Sequence, residues 1–169
     1  MATFIKISTI TVGSGGAASI DFTSIPATYT DLKLVCSTRS TGGGGPNDGL
    51  YIKVNGATTN SSVRWLYGSG SAASSANGAF FYLGEGNANS ATASTFSSHE
   101  IYIPNYAGAN YKSMSVDSVA ETNAAAQYMS LNALLWSQTT AINQLTLYFA
   151  STNNVAQYSS ATLYGIKSS

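Results

Sequence analysis

The chain has 169 residues, and its seven Lys or Arg and seven Asp or Glu cancel and make up only 8% of it. A soluble domain usually carries about 25% charged residues, so this chain has no basic stripe to hold a phosphate backbone and nucleic acid is excluded as a partner. Hydrophobic residues at 44% rule out a disordered chain, and a single cysteine excludes both an internal disulfide framework and a Cys-based metal site.

Residues 1–12 lack the apolar core of a signal peptide and set Ile5 and Ile7 against Lys6 and Ser8, the alternation of a strand. A Gly-rich turn at 13–16 and a short strand with Ile20 and Phe22 inward complete an expected N-terminal hairpin or arm over residues 1–23. Pro26 fixes φ and gives up an N–H, so the chain turns there. Beyond it Leu32, Leu34 and Cys36 share one face of an extended segment, with Asp31, Lys33 and Ser37 on the other and Val35 the one apolar side chain on that polar face. Cys36 reads as a small buried hydrophobe.

The glycine run at 42–45 ends that strand, and Leu50, Ile52 and Val54 then alternate with Tyr51 and Lys53 up to Asn55-Gly56, the strongest short hairpin signal. A strand at 63–67 follows, then 68–78, low in complexity and read as an exposed loop. Residues 79–83 form an aromatic strand and 84–90 another loop. In the next strand His99, Ile101 and Ile103 face inward until Pro104 stops it, and 105–110 turn into a strand with Met114 and Val116 inward. Ala124, Ala125 and Ala126 suit a helical turn too short to stand alone. Three strands close the chain. In the first, Met129, Leu131, Ala133 and Leu135 oppose Tyr128, Ser130, Asn132 and Leu134.

About ten short strands spaced roughly a dozen residues apart, with no amphipathic helix, predict one all-β domain over residues 1–169: an antiparallel β-sandwich of jelly-roll type. No apolar run approaches the roughly 18 residues of a spanning helix, so neither a membrane partner nor a targeting segment is expected, and the protein is read as made in the cytoplasm.

Catalytic chemistry finds little footing. The one histidine, His99, falls on an inward face, where a packed, hydrogen-bonded core role outweighs that of a base. Glu85, Glu100, Asp117 and Glu121 are the carboxylates available for glycoside hydrolysis, and their spacing singles out no pair. The glycine run lacks the Lys-Ser/Thr of a phosphate loop, and no cluster has metal-ligand spacing. The expectation is a non-enzymatic protein without cofactor or metal. Tyr67, Tyr106 and Tyr111, beside loops, are candidate glycan or partner contacts.

Residues 24–34 (Ser-Ile-Pro-Ala-Thr-Tyr-Thr-Asp-Leu-Lys-Leu) and 160–167 (Ser-Ala-Thr-Leu-Tyr-Gly-Ile-Lys) resemble the start and finish of virion proteins of tailed bacteriophages, many from cyanobacterial viruses. Residues 101–107 and 134–147 are similar to that family's middle strands. The resemblance implies a structural protein displayed on the virion, most simply a capsid decoration (cement) protein that binds the major capsid protein on the outside of the head and stabilises contacts between capsomers. A tail-associated or fibre module recognising a host surface glycan is the alternative. Open sheet edges with few guarding charges further predict a homotrimer, with Phe4, Ile5 and Ile7 of the first strand as candidate capsid or subunit contacts.

Overall fold

The computed structural model describes residues 2–123, 127–150 and 153–167. The expected turn at Ala124, Ala125 and Ala126 lies outside the described residues. The described residues contain twelve strands and no helix: β1 (Thr3–Thr11), β2 (Ile20–Phe22), β3 (Asp31–Thr38), β4 (Asn47–Val54), β5 (Ser61–Gly68), β6 (Ala73–Gly78), β7 (Tyr82–Asn87), β8 (Ser97–Ile103), β9 (Lys112–Ala120), β10 (Tyr128–Trp136), β11 (Leu145–Phe149) and β12 (Ser160–Lys167). They form an eight-stranded sheet, in the order β1-β12-β3-β8-β9-β10-β5-β6, and a four-stranded sheet, β2-β11-β4-β7. Every strand pair is antiparallel. The all-β expectation is therefore met.

One hydrophobic core lies between the sheets, built from the inward positions of alternating strands. Leu32, Leu34 and Cys36 of β3, Leu50, Ile52 and Val54 of β4, Ile101 and Ile103 of β8, and Met114 and Val116 of β9 are all buried in it. Each of these faces follows from period-two alternation, because successive side chains of an extended chain point to opposite sides. Cys36 is a free, buried thiol, and desolvation pushes its pKa well above the ordinary value, so it packs as a hydrophobe.

The expected N-terminal hairpin does not form. β1 pairs with β12 in the large sheet, whereas β2 pairs with β11 in the small one. Residues 13–19 therefore cross between layers; a turn signal fixes where a chain bends, not which strand it meets next. Asn55-Gly56 behaves the same way. Both residues have positive φ, 50° and 77°, as a tight turn demands. The turn closes only on Ala57, and the chain then leaves the small sheet to begin β5 in the large one. Asn55 holds this crossing: its Oδ1 accepts from the backbone N–H of Asn143 at 2.9 Å and Gln144 at 3.1 Å, and its Nδ2 donates to the Ala141 carbonyl.

Two further expectations are corrected. Part of the segment read as an exposed loop, 68–78, is β6, which pairs with β5 at the sheet edge and is mostly exposed. Strand pairing here is set by the neighbour, and its Ser, Ala and Asn carry no alternation to announce it. The aromatic strand expected at 79–83 lies later, as β7, and runs through residues read as a loop. Gly84 makes this tolerable. It sits at a register shift against β4 with φ 122°, and a Cβ there would collide with Ser118 of β9.

Strand β10 buries its mixed set of side chains and exposes its wholly apolar one. Ser130, Asn132, Leu134 and Trp136 face inward, while Met129 and Leu131 stand outside at 61% and 58% exposure.

Candidate functional site

The large sheet is wider than the small one. Strand β7 closes the small sheet and lies over β8, β9 and β10, so the inner face of β5 and β6 overhangs beyond it. The wing formed by overhanging β5 and β6 together with their neighbours β10 and β9 carries unusual chemistry on both faces.

On the inner side, between the wing and β7, lies a cleft of about 220 Å³ lined by Trp65 and Tyr67 of β5, Ala76 of β6, Tyr82 and Glu85 of β7, and Tyr128 and Ser130 of β10. Alternation along β5 puts Trp65 and Tyr67 on the face of buried Val63 and throws Arg64 and Leu66 outward. The Trp65 ring packs on Tyr82 at 5.2 Å and Phe80 at 6.0 Å between centroids, and Tyr67 on Tyr128 at 6.1 Å. The aromatic chain continues to Tyr51 and then Tyr148 across the small sheet.

Polar groups sit among these rings. The Tyr82 hydroxyl donates to Glu85 Oε1 at 2.7 Å. Burial raises the Glu85 pKa, a shift the Tyr82 hydrogen bond partly offsets and the charge of Asp48 reinforces. Tyr82 is raised in turn, by burial first and by Glu85 next. Ser130, only 6% exposed, has an Oγ without a hydrogen-bond partner, and neighbouring Asn132 spends its Nδ2 on the Tyr82 carbonyl at 3.2 Å.

On the outer side the wing carries an apolar patch. Leu131 stands opposite Leu66 on one neighbour and Asp117 on the other, and Met129 opposite Val119. Leu66 is 56% exposed, so four large apolar side chains on three adjacent strands stand in solvent together. Farther across the same face Glu100 opposes Asp117 in register, with Lys33 Nζ 2.6 Å from Glu100.

The residues singled out from sequence scatter. Tyr67 lines the cleft, but Tyr111 is exposed elsewhere, and Tyr106 is fully buried. The Tyr106 hydroxyl donates to the Pro26 carbonyl and accepts from the Tyr29 N–H, pinning the 26–29 turn against the 105–110 turn. Its proposed surface contact is therefore corrected to a structural one. The Tyr106→Phe variant is expected to lose about 1–2 kcal/mol in urea unfolding, because two part-buried backbone groups lose this partner. A change below about 0.3 kcal/mol would contradict that role. In β1, which is an open edge strand, Phe4 is exposed beneath the Lys33 ammonium, while Ile5 is half-buried and Ile7, at a bulge, packs on the core. Of the carboxylates, Glu85 alone enters the cleft lining, and Glu121 lies past the end of β9.

Sequence reasoning missed Trp65, Tyr82, Tyr128 and Ser130. The available signal was β10, where a polar and aromatic set (Tyr128, Ser130, Asn132) alternates with a wholly apolar one, which marks a strand with two different occupants on its faces. Among the described residues no group of three or more His, Cys, Asp or Glu converges as metal ligands do. Comparison with protein-family models, curated proteins and solved structures finds no match.

Proposed function

We propose that the chain is a non-enzymatic structural protein of a tailed-phage virion, a capsid decoration (cement) protein that docks on the outside of the head against the major capsid protein. The observation that carries the docking is the outer face of the wing. A strand that keeps serine and asparagine inside and exposes Met129 and Leu131 gains nothing as a free monomer; covering those side chains contributes about 1.5–3 kcal/mol each. The near-absence of charge suits packing on a lattice better than electrostatic capture. The location on a virion rests on the sequence resemblance.

The fold proposed for this role is a jelly roll. Strands β1-β12-β3-β8 stack on β2-β11-β4-β7, with successive strands of the eight alternating between layers except β4 and β7, which pair within the small sheet, and the pairs β5–β6 and β9–β10 are insertions that widen one layer. Subunits associate as a homotrimer, with open edge strand β1 free to pair or lie across a neighbour.

The test is the double variant Met129→Ser/Leu131→Ser, measured for binding to capsids stripped of the protein. Folding is expected to survive, since both side chains are outside, while occupancy at a fixed concentration falls at least about a hundredfold in affinity. Unchanged capsid binding by the folded variant, or failure of the native protein to bind capsids at all, overturns the proposal.

A further inference from the structure

We propose that the inner cleft of the wing is a binding site for a single neutral pyranose, such as the terminal residue of a surface glycan. The site is independent of whether the chain sits on head or tail. Four features carry it, all separate from the outer face.

The cleft is walled by aromatic rings on three strands, held in place by tilted contacts between Trp65 and Tyr82 and between Tyr67 and Tyr128, so their geometry exists before any ligand arrives. One face of a pyranose is a patch of C–H groups, and an aromatic ring buries it without needing a hydrogen-bond partner. The volume, about 220 Å³, falls below the roughly 300–1,000 Å³ of sites for drug-sized ligands, so a single ring is the natural occupant.

The polar groups choose between ligand classes. Ser130 lines the cleft and its Oγ is buried with no partner, so a rotation of the side chain that brings the hydroxyl to a ligand recovers the cost of leaving it unpaired. Glu85 Oε1 is already oriented by Tyr82 and leaves the other carboxyl oxygen for a ligand. A sugar brings hydroxyls that donate and accept at such positions. A quaternary ammonium would satisfy the rings and the carboxylate but offers Ser130 nothing, and a fatty chain would leave both polar groups unmet.

Gly84 sets how closely β7 approaches the cleft wall. A Cβ there would meet Ser118 and come within 3.1 Å of Ser130 Oγ, so the glycine lets β7 lie close beside Ser130.

Titration of the full chain with the methyl glycosides of glucose, galactose, mannose and N-acetylglucosamine, followed by amide and indole NMR shifts, tests the site. Trp65 and Trp136 are the two tryptophans, and only the Trp65 indole is expected to move, with millimolar affinity for at least one glycoside. Trp65→Ala should weaken binding about tenfold or more. Ser130→Ala is the sharper variant: removing an unpartnered hydroxyl should leave the melting temperature unchanged or higher while lowering affinity about threefold to tenfold. Absence of any glycoside-induced shift at the Trp65 indole at tens of millimolar overturns the proposal. So does displacement of the glycoside by choline at lower concentration, which would make the cleft a cation cage.

Discussion

Replacing Arg39 with methionine is expected to destabilise the protein by about 4 kcal/mol, a large share of the roughly 5–15 kcal/mol that holds a domain together. The guanidinium is buried and meets no carboxylate in its hydrogen bonding. Nη1 donates to the carbonyls of Thr92 at 2.9 Å and Thr95 at 2.7 Å and to the Thr95 hydroxyl, and Nη2 donates to the carbonyls of Asn89 and Ala91. One side chain thus organises the whole 89–95 loop. That loop in turn grips the glycine-rich loop, through the Asn89 N–H on the Gly42 carbonyl and the Ser90 hydroxyl on that of Gly45. Desolvation lowers the pKa of Arg39, yet the planar fork keeps its charge and serves several acceptors at once. Methionine matches the stem but donates nothing, so the carbonyls of Asn89, Ala91 and Thr95 lose this donor at about 1–3 kcal/mol for each one that water cannot reach, while that of Thr92 keeps the Thr95 N–H and hydroxyl. Lysine, a single point of charge, should recover less than half of the loss. Urea unfolding with an unchanged slope and a midpoint shift worth less than about 1 kcal/mol would show that the loops hold themselves without it.

The second large effect is an acid limit set by His99. The ring lies fully buried on the inward face of β8, between Cys36 of β3 and Ser118 of β9 in register. The sequence suggested a hydrogen-bonded core histidine; the structure buries it without a partner at hydrogen-bonding geometry for either nitrogen. Desolvation therefore pulls its pKa down to about 4 from 6.5, and the nearby Glu85 backbone offsets this only in part. The unfolded chain takes up the proton near pH 6.5, whereas the folded one resists until about 4, so in that window the unfolded state binds more protons. Stability is complete above pH 6.5 and drains as pH falls, by about 3 kcal/mol at the lower end. Glu85 acts in the opposite sense. Its folded-state pKa is raised, so above its ordinary value of 4.5 the folded state holds the extra proton and gains stability as pH falls. The His99→Met variant isolates the two: its stability should no longer decline between pH 6.5 and 4.5 and should rise slightly. An acid slope equal to that of the native protein would assign the effect to other groups.

Much of the fold could be read from local chemistry. Alternation placed Leu32, Leu34 and Cys36, then Leu50, Ile52 and Val54, then His99, Ile101 and Ile103 on inward faces, and all are buried. In each case one set of side chains is clearly more apolar than the other, and the pleat leaves no other way to bury it. Pro104 and the Asn55-Gly56 pair marked real ends and turns, since their backbone preferences do not depend on distant partners. Residue types alone also confined charge to a small role and made Cys36 a packing residue.

What only the tertiary structure decided is partnership. Whether β1 meets β2 or β12, and whether the chain after Asn55 turns back or crosses to the other sheet, depends on strands more than eighty residues away, whose influence leaves no mark on the local pattern. The facing of β10 belongs to the same class. Met129, Leu131, Ala133 and Leu135 form the wholly apolar set and Tyr128, Ser130, Asn132, Leu134 and Trp136 a mixed one, yet the mixed set is the one buried, because β7 lies above Ser130 and Asn132 and supplies the Tyr82 carbonyl to Asn132. The cleft follows from that choice. Trp65, Tyr82, Glu85, Tyr128 and Ser130 come from three strands that no short-range rule connects, and they meet because β5 and β6 carry the large sheet past the edge of the small one. Local preference determines which way a side chain points along its own strand, while the pairing of whole strands, which only the summed burial of both layers can set, determines what it points at.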